Sequence, residues 1–430
     1  MQKIFDKILS IKNKYKSSIV FDTRNLKKND IFVGIKTKKN DGSFFYNDAL
    51  KKKAGLILIN NPKVCHQNIL QINKIDNFIF NFCNYLLSQY KGKIIAITGS
   101  VGKTTIKENI FNILQKNNFI VSKSYKNFNN KLGLQFSIMN INLNSDFAIF
   151  ELGINAPREM KSLINILHPH YCLVTGIENS HIGNFKNFSN LVNNKLQIFQ
   201  SKKLIKGLIN FTHSKPDLAK KIKSNIQIIN FENIDVSVTK KTKYILNFKN
   251  NSKKYNIKSD LNGIYIETAI ISYLFLKKFI KKFHSENFFY AKSIIESRGK
   301  LIKKDYNKKI IKIYDHSYNS SPYSLKKQLF FFNQKKILKK LCIIGSMNEL
   351  GNNSSNYHIE ILDIISSYNL GNTIFIGDEF FKFKDLYKNY KFYKSYKDYT
   401  KVINRDLSNF ENIFVMGSRS NQLEKIIEKI

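Results

Sequence analysis

A chain of 430 residues has room for about three domains of ordinary size. It carries 71 Lys and Arg against 31 Asp and Glu, a formal charge of +40 with a pI near 9.8, which points first to a polyanionic partner. A hydrophobic content of 43%, with 13% aromatic residues, supplies enough burial to offset the entropy of ordering and excludes wholesale disorder.

The charge is almost entirely lysine, because Arg24, Arg158, Arg298, Arg405 and Arg419 are the only arginines. A surface built to read phosphates recruits the bidentate fork of Arg, so the surplus reads as solvated lysine and no specific nucleic-acid partner is expected. The abundance of Asn, Ile, Phe and Tyr and the absence of Trp fit an AT-biased coding sequence. Cys65, Cys83, Cys172 and Cys342 are scattered without metal or CxxC spacing and read as incidental thiols of a reducing compartment. Residues 1–18 alternate charged and apolar groups and lack the apolar centre of a signal peptide. The longest apolar stretch, residues 269–276, falls far short of the roughly 20 residues a spanning helix needs. A soluble cytoplasmic protein, not inserted in a membrane and monomeric, is the expectation.

From Ser18 to about Asn61 the short apolar runs SIVFD, DIFVGIK and LILIN alternate with turn-like NLKKND and NDGS and with one helical pattern, NDALKKKAG. A helix is predicted over Phe78 to Tyr90. At Lys91-Gly92 the pattern changes to a buried strand, KIIAIT, that enters a Gly-containing turn. FAIFEL, YCLVTGI and KGLIN then alternate with helical PREMKSLINIL and SNLVNNKLQIFQ, which predicts a parallel sheet covered on both faces. Thr242 to Asp260 reads as a polar hairpin excursion, followed by helices over Tyr265 to Phe279 and Asn287 to Ser297. From about Lys300 a second alternation begins with KIIKIYD, KKLCIIGS, NTIFIGD and NIFVMGS. The predicted fold class is α/β in three domains: a small α/β domain over 1–91, a central phosphate-loop, mononucleotide-binding parallel-sheet domain over 92–300, and a Rossmann-like domain over 301–430.

The strongest local signal is Thr98-Gly99-Ser100-Val101-Gly102-Lys103-Thr104-Thr105, between a predicted strand and a predicted helix. Glycines let the backbone approach phosphate, consecutive N–H groups and the helix N-terminus face it, Lys103 neutralises its charge, and a Thr hydroxyl suits Mg²⁺. The loop is shorter than the common phosphate loop, with Ile97 where the first Gly would stand.

TGSVGKTT resembles the corresponding loop of the Mur ligases, ATP-dependent enzymes that form the amide bonds of the peptidoglycan stem peptide. Further likenesses follow in order: Asp22-Thr23-Arg24, Asp30-Ile31-Phe32-Val33 and Asp41-Gly42 near the start, then Asn127-Phe128-Asn129-Asn130-Lys131-Leu132-Gly133, Glu151-Leu152-Gly153, Ile177 to His181, Lys195, Asp315 to Pro322 and Gly345 to Gly351. The NFNN and SYN segments resemble the member that adds D-alanyl-D-alanine. A related member that adds diaminopimelate or lysine usually has DYAHxPD where this chain has DHSYNSSP, and folylpolyglutamate synthase lacks the N-terminal pieces.

The resemblance implies an ADP-forming ligase that uses ATP and Mg²⁺ to join D-alanyl-D-alanine to UDP-N-acetylmuramoyl-tripeptide through an acyl phosphate. By the same resemblance Lys103 holds the β/γ phosphates. Thr104, Glu151, His181 and Lys195 serve the metals, Lys195 as a carbamate formed with CO₂. Asn129 and Asn130 position the terminal phosphate and the peptide. Arg298, Asp315 and Asn319 serve the nucleotide, and Thr23, Arg24, Asp41 and Gly42 the UDP end. Departures are His316 for a second Asp, Ser346 for the Asp of GDM, Met416 for a Lys, and Ile264-Tyr265 for an HN pair. Each removes a polar group worth about 1–3 kcal/mol in a site, so a weakened enzyme, or a remnant that binds UDP-sugar, is the alternative to full activity.

Overall fold

The computed structural model describes the chain except residues 38–39, 62, 127, 179–181, 211–224, 230–233, 241–242, 249–253, 259–263, 281–296, 336, 369 and 371. Near the N-terminus β1 (Ile19–Val20), β2 (Ile31–Val33), β3 (Leu56–Ile59) and β4 (Ile69–Gln71) form a parallel sheet in that order. β2 and β3 are buried along their whole length, which is why they read as continuous apolar runs. β4, missed in the sequence, is too short to show a pattern. The helix Ile75–Gln89 begins one turn before the predicted start and buries Phe78, Ile79, Phe82, Cys83 and Leu86 along one stripe. Phe5 of the helix Gln2–Tyr15 packs on that stripe, with ring centroids 5.4 Å from Phe78 and 5.1 Å from Phe82.

The central sheet contains β5 (Lys93–Thr98), β6 (Val121–Lys123), β7 (Phe147–Glu151), β8 (Tyr171–Val174), β9 (Lys206–Asn210) and β10 (Ile226–Ile229), all parallel in the order β10-β9-β8-β5-β7-β6. β5 lies between β7 and β8, so the loops leaving the carboxyl ends of these three strands converge where the winding reverses. The expected polar hairpin is a three-stranded antiparallel sheet, β11 (Ile234–Lys240), β12 (Lys243–Phe248) and β13 (Lys254–Lys258). The helix Ile264–Phe279 then returns, and its Ile270, Ile271 and Phe275 share a core with Ile106, Ile110 and Ile113 of the helix Lys103–Lys116. The helix predicted over Asn287 to Ser297 lies, but for Ser297, outside the described residues.

The C-terminal sheet holds β14 (Lys300–Tyr306), β15 (Lys309–His316), β16 (Lys340–Gly345), β17 (Asn372–Ile376), β18 (Lys391–Tyr393) and β19 (Asn412–Met416), in the order β14-β15-β19-β16-β17-β18. β14 pairs antiparallel with β15 and the remaining pairs are parallel. Asn307 (φ 46°) and Lys308 (φ 64°) turn the β14–β15 hairpin, both left-handed, as a two-residue turn that matches strand twist requires. Among the described residues no helix is long and apolar enough to cross a membrane.

Candidate active site

The site grows from the end of β5. Thr98 Oγ1 donates to the Leu152 carbonyl at 2.8 Å, fixing the strand end, and the chain turns through Gly99 (φ 145°) and Gly102 (φ 83°). A Cβ on Gly99 would lie 2.1 Å from Thr175 Oγ1, so only Gly passes between the loop and β8's continuation. Ser100 N–H donates to the Gly176 carbonyl (2.7 Å), Ser100 Oγ accepts from Glu178 N–H (2.9 Å), and Thr175 Oγ1 donates to the Val101 carbonyl (2.5 Å). The loop is therefore pinned from one side before the helix Lys103–Lys116 starts.

Lys103 Nζ lies on the loop, donating to the carbonyls of Gly99 at 2.9 Å and Ser100 at 3.2 Å. Burial pushes its pKa below the ordinary lysine range, Glu151 opposes that and Arg298 adds to it. Thr104 Oγ1 donates to Glu151 Oε2 at 2.7 Å, and Asn129 Nδ2 to Glu151 Oε1 at 2.9 Å. Glu151, at the carboxyl end of β7, is buried at 2% exposure with both oxygens aimed by neutral donors. Asn129 is itself anchored, since its carbonyl accepts from Gly153 N–H at 2.9 Å.

Lys195, on the helix Phe188–Leu196, is as buried as Glu151, and its Nζ donates to the Gly99 carbonyl at 3.0 Å. Two lysines thus share one acceptor. Burial first, and the neighbouring Lys103 second, push the Lys195 pKa well below the ordinary lysine value. His181 lies outside the described residues. Among the described residues no three His, Cys, Asp or Glu side chains gather into a metal site. The hard donors present are the Glu151 carboxylate and the Thr104 hydroxyl, a small set that suits Mg²⁺ when substrate phosphate oxygens and water complete its shell.

Across from the loop, a cleft of about 110 Å³ is lined by Gly102, Thr105 and Thr268 on one side and by Arg298, Tyr318 and Asn319 on the other. The Arg298 guanidinium stacks on Tyr318 at 3.9 Å, and its Nε is buried without a partner. Asp315 accepts from both Ser317 N–H (3.0 Å) and Ser317 Oγ (2.7 Å), so its carboxylate shapes the turn that presents Tyr318 and the exposed Asn319.

The other expected residues sit in local caps and turns. Asn130 caps the helix Lys131–Met139 by accepting from Gly133 N–H at 2.8 Å. Thr23 and Arg24 lie in a turn after β1, where Asp22 binds the exposed Arg24 side chain at 2.7 Å and the Thr23 carbonyl accepts from Lys52. Asp41 caps the turn Gly42–Phe45 through Ser43 N–H. These four sit on the N-terminal sheet, apart from the phosphate loop. Of the departures, His316 is buried beside Phe414 with its pKa pushed down to about 3 by burial, Ser346 Oγ accepts from Phe380 N–H, and Met416 joins the C-terminal core. The side chains of Ile264 and Tyr265 lie outside the described structure.

Sequence reasoning missed Thr175, Thr268 and Lys107. Thr175 and Thr268 carry no motif. Lys107 stands one helical turn after Lys103, but in so lysine-rich a chain that spacing carried no signal.

Comparison with known proteins agrees with this geometry. Residues 97–272 match the Mur ligase middle domain. The UDP-N-acetylmuramoyl-tripeptide–D-alanyl-D-alanine ligase of Rickettsia prowazekii is 28% identical, aligned over 96% of this chain and 94% of that protein. The enzyme of the same name from Buchnera aphidicola (strain Bp) is 26% identical over 96% and 92%. In fold, the chain is similar to the MurF structure from Acinetobacter baumannii (TM-score 0.79, 18% identity, 98% and 97% covered). It is also similar to that of Thermotoga maritima MurF in complex with ADP (TM-score 0.75, 20% identity, 96% of both). The phosphate loop and its carboxylate partner thus lie in a stretch that matches the Mur ligase middle domain, in a chain similar over nearly its whole length to these ligases.

Proposed function

We propose that the protein is an ATP-dependent, ADP-forming ligase that joins D-alanyl-D-alanine to UDP-N-acetylmuramoyl-tripeptide in cytoplasmic peptidoglycan precursor synthesis, acting as a monomer. The observation that carries this reading is the convergence of Lys103, Thr104, Asn129, Glu151 and Lys195 at the carboxyl ends of β5 and β7, facing Arg298 across a cleft. Residues 1–91 are assigned to the UDP precursor, 92–300 to ATP and 301–430 to closing over it.

A carboxylate does not react with an amine until one oxygen becomes a leaving group. Transfer of the ATP γ-phosphoryl to the tripeptide carboxylate supplies that group, and attack by the dipeptide amine forms a tetrahedral intermediate that expels phosphate. Most of the catalytic task is positioning and charge neutralisation. The N–H groups of the loop and Lys103 hold the phosphates, and Lys103 leaves the Gly99 and Ser100 carbonyls to do so. Glu151 and Thr104 would hold Mg²⁺, with His181 and Lys195 assigned to a second ion, and the metal supplies neutralisation of phosphate charge. Arg298, with an unpartnered donor at the cleft, meets the phosphates from the closing side. Asn319 and Asp315 shape the nucleotide pocket. Thr23, Arg24, Asp41 and Gly42 face the UDP end.

Carbamylation of Lys195 fits its setting. A buried amine beside Lys103 favours its neutral form, which is the nucleophile CO₂ requires, and the product places an anion beside the Lys103 cation. Activity of Lys195→Ala should therefore return in part with added short carboxylates, and a flat response counts against the carbamate.

The decisive assay is phosphate release from ATP in the presence of each substrate alone and of both. Release that requires UDP-N-acetylmuramoyl-tripeptide and D-alanyl-D-alanine together is the expected outcome. Release with a shorter precursor and diaminopimelate or lysine would transfer the protein to a sister activity.

A further inference from the structure

Lys107 lies close to the reacting centre, and no role has yet fallen to it. It lies on the helix Lys103–Lys116, one turn beyond Lys103, and is completely buried. Its Nζ donates to the Ser124 carbonyl at 2.9 Å and to the Lys126 carbonyl, and lies 3.6 Å from Glu108 Oε1. Glu108 is also held by Lys123, and Glu151 is the other carboxylate whose field reaches Lys107. An ammonium buried for core packing alone would be an expensive choice where Met or Leu would fill the space.

The two carbonyls belong to the segment that leaves β6 and delivers Asn129 to Glu151. Among the described residues it is tied by Lys107 at residues 124 and 126, by Ser124 N–H to the Ile149 carbonyl at 2.8 Å, by Phe128 against Phe21 beside the N-terminal sheet at 5.5 Å, and by Asn129 against Glu151 and Gly153. Ser124 contributes again, because its Oγ accepts from Glu151 N–H at 3.3 Å. The segment that Lys107 grips therefore orients Glu151 from both its backbone and its side chain.

Resting on the ligase reading above, we propose that Lys107 is a positioning residue: by binding the 124 and 126 carbonyls from the phosphate-loop helix, it aims Asn129 and Ser124 at Glu151 and so sets the geometry of the metal-binding carboxylate. Lys103 and Lys107 thus divide one helix face, the first serving phosphate and the second the carboxylate opposite it. Groups that orient metal ligands typically change metal affinity or activity by about 10–100-fold when removed.

The test compares the full-length wild type with Lys107→Met, close in volume and uncharged. The expected result is kcat lower by about 10–100-fold, KM for ATP changed less than about threefold, and the Mg²⁺ concentration for half-maximal rate raised about tenfold. Calorimetric titration of Mg²⁺ into the ADP-loaded protein should show the same weakening without turnover. A role in packing alone would lower Tm and leave kcat per folded molecule and both Mg²⁺ readings unchanged, and that outcome overturns the proposal. If Lys107→Met yields no folded protein, Lys107→Arg carries the test, since a planar fork keeps the charge but cannot seat one nitrogen between two carbonyls. An Mg²⁺ shift of about threefold or more supports the proposal, and wild-type behaviour overturns it. Failure of the ligase reading shows separately, as absent substrate-dependent phosphate release in the wild type.

Discussion

The N-terminal and central sheets meet across a seam unlike the one between the central and C-terminal sheets. At the first seam a single apolar core runs from Phe5, Ile31 and Phe82 to Phe136, Phe150 and Leu163. Asn140 reinforces it by pairing with both the N–H and the carbonyl of Ile19, at 2.8 and 2.9 Å, while Lys12 donates to the Met139 carbonyl. At the second seam, no apolar cluster crosses among the described residues. The C-terminal sheet has its own cores on its two faces. Contact there is polar or backbone: Tyr323 donates to Glu267 at 3.0 Å, Lys327 lies 3.1 Å from Glu267, and a Cβ on Gly183 would stand 3.3 Å from Gly351 Cα. A shared core resists relative motion because separating it exposes apolar surface, whereas a few solvated polar contacts exchange readily with water. The N-terminal and central sheets therefore behave as one body, and the C-terminal sheet, whose loop carries Tyr318 and Asn319, is the one free to close.

The most severe way to break this contrast is to empty the shared core. Phe82 is fully buried between Phe5 and Phe78. Phe82→Ala should cost about 3–5 kcal/mol, and, because the core is continuous, the N-terminal and central sheets should lose it in one cooperative transition. Denaturant unfolding followed by hydrogen exchange checks this. If the N-terminal sheet opened alone while β5 to β9 stayed protected, the two would not be a single body.

That seam was hard to read in the sequence, although the elements on either side were plain. β2, β3, β5 and β7 announce themselves as apolar runs because parallel strands are buried on both faces, and the phosphate loop is a local motif. Phe21, Phe128 and Phe136 meet only in three dimensions, with rings 5.5 and 4.2 Å from Phe21, and nothing in their spacing marks an interface in a chain this rich in Phe. The edge strands β4, β6, β10, β14 and β18 escaped for the opposite reason: β4, β6, β10 and β18 are too short for a period, and β14 alternates half-buried with exposed residues among lysines. At the site, the motif residues Lys103, Thr104 and Glu151 were legible, while Lys107 was hidden by the same lysine surplus that makes the net charge uninformative. Asn130, read by resemblance as positioning phosphate and peptide, also caps a helix through its carbonyl oxygen, a local use its motif did not announce.

A gentler probe separates the two bodies by pH. His316 is buried in the C-terminal sheet, and burial lowers its pKa from 6.5 to about 3. The unfolded chain therefore takes up the proton first as pH falls. The contribution of neutral His316 is complete above pH 6.5 and is lost progressively from there toward pH 3, at about 1.4 kcal/mol per pH unit, or about 2 kcal/mol by pH 5. His358, buried on the helix Ser354–Tyr368 that covers this sheet and also held below its ordinary value, acts with the same sign. In the central body His170, pushed down to about 4 by burial, and His168 act with the same sign, so acidification should weaken both bodies, and His316→Asn should reduce the slope in the C-terminal sheet alone. An equal reduction of slope in both bodies on His316→Asn would mean that the polar seam couples them more strongly than its contacts suggest.

The smallest effect on stability is expected at the polar seam itself, and it sharpens the contrast most. Glu267, on the helix that packs against the phosphate-loop helix, is met from the other side by Tyr323 and Lys327. The Lys327 side chain is 40% exposed, so the ion pair is worth no more than about 1 kcal/mol. Glu267→Gln keeps an acceptor for Tyr323 and removes only the charge, and unfolding in denaturant should move by less than about 0.5 kcal/mol. The same change alters the balance between open and closed arrangements of the sheet that brings Arg298's partner Tyr318 and Asn319 to the cleft. KM for ATP should therefore shift by a factor of about two to five while the shared core stays silent. A stability loss comparable to that of Phe82→Ala would instead make the second seam as fixed as the first, and closure would have to be sought elsewhere.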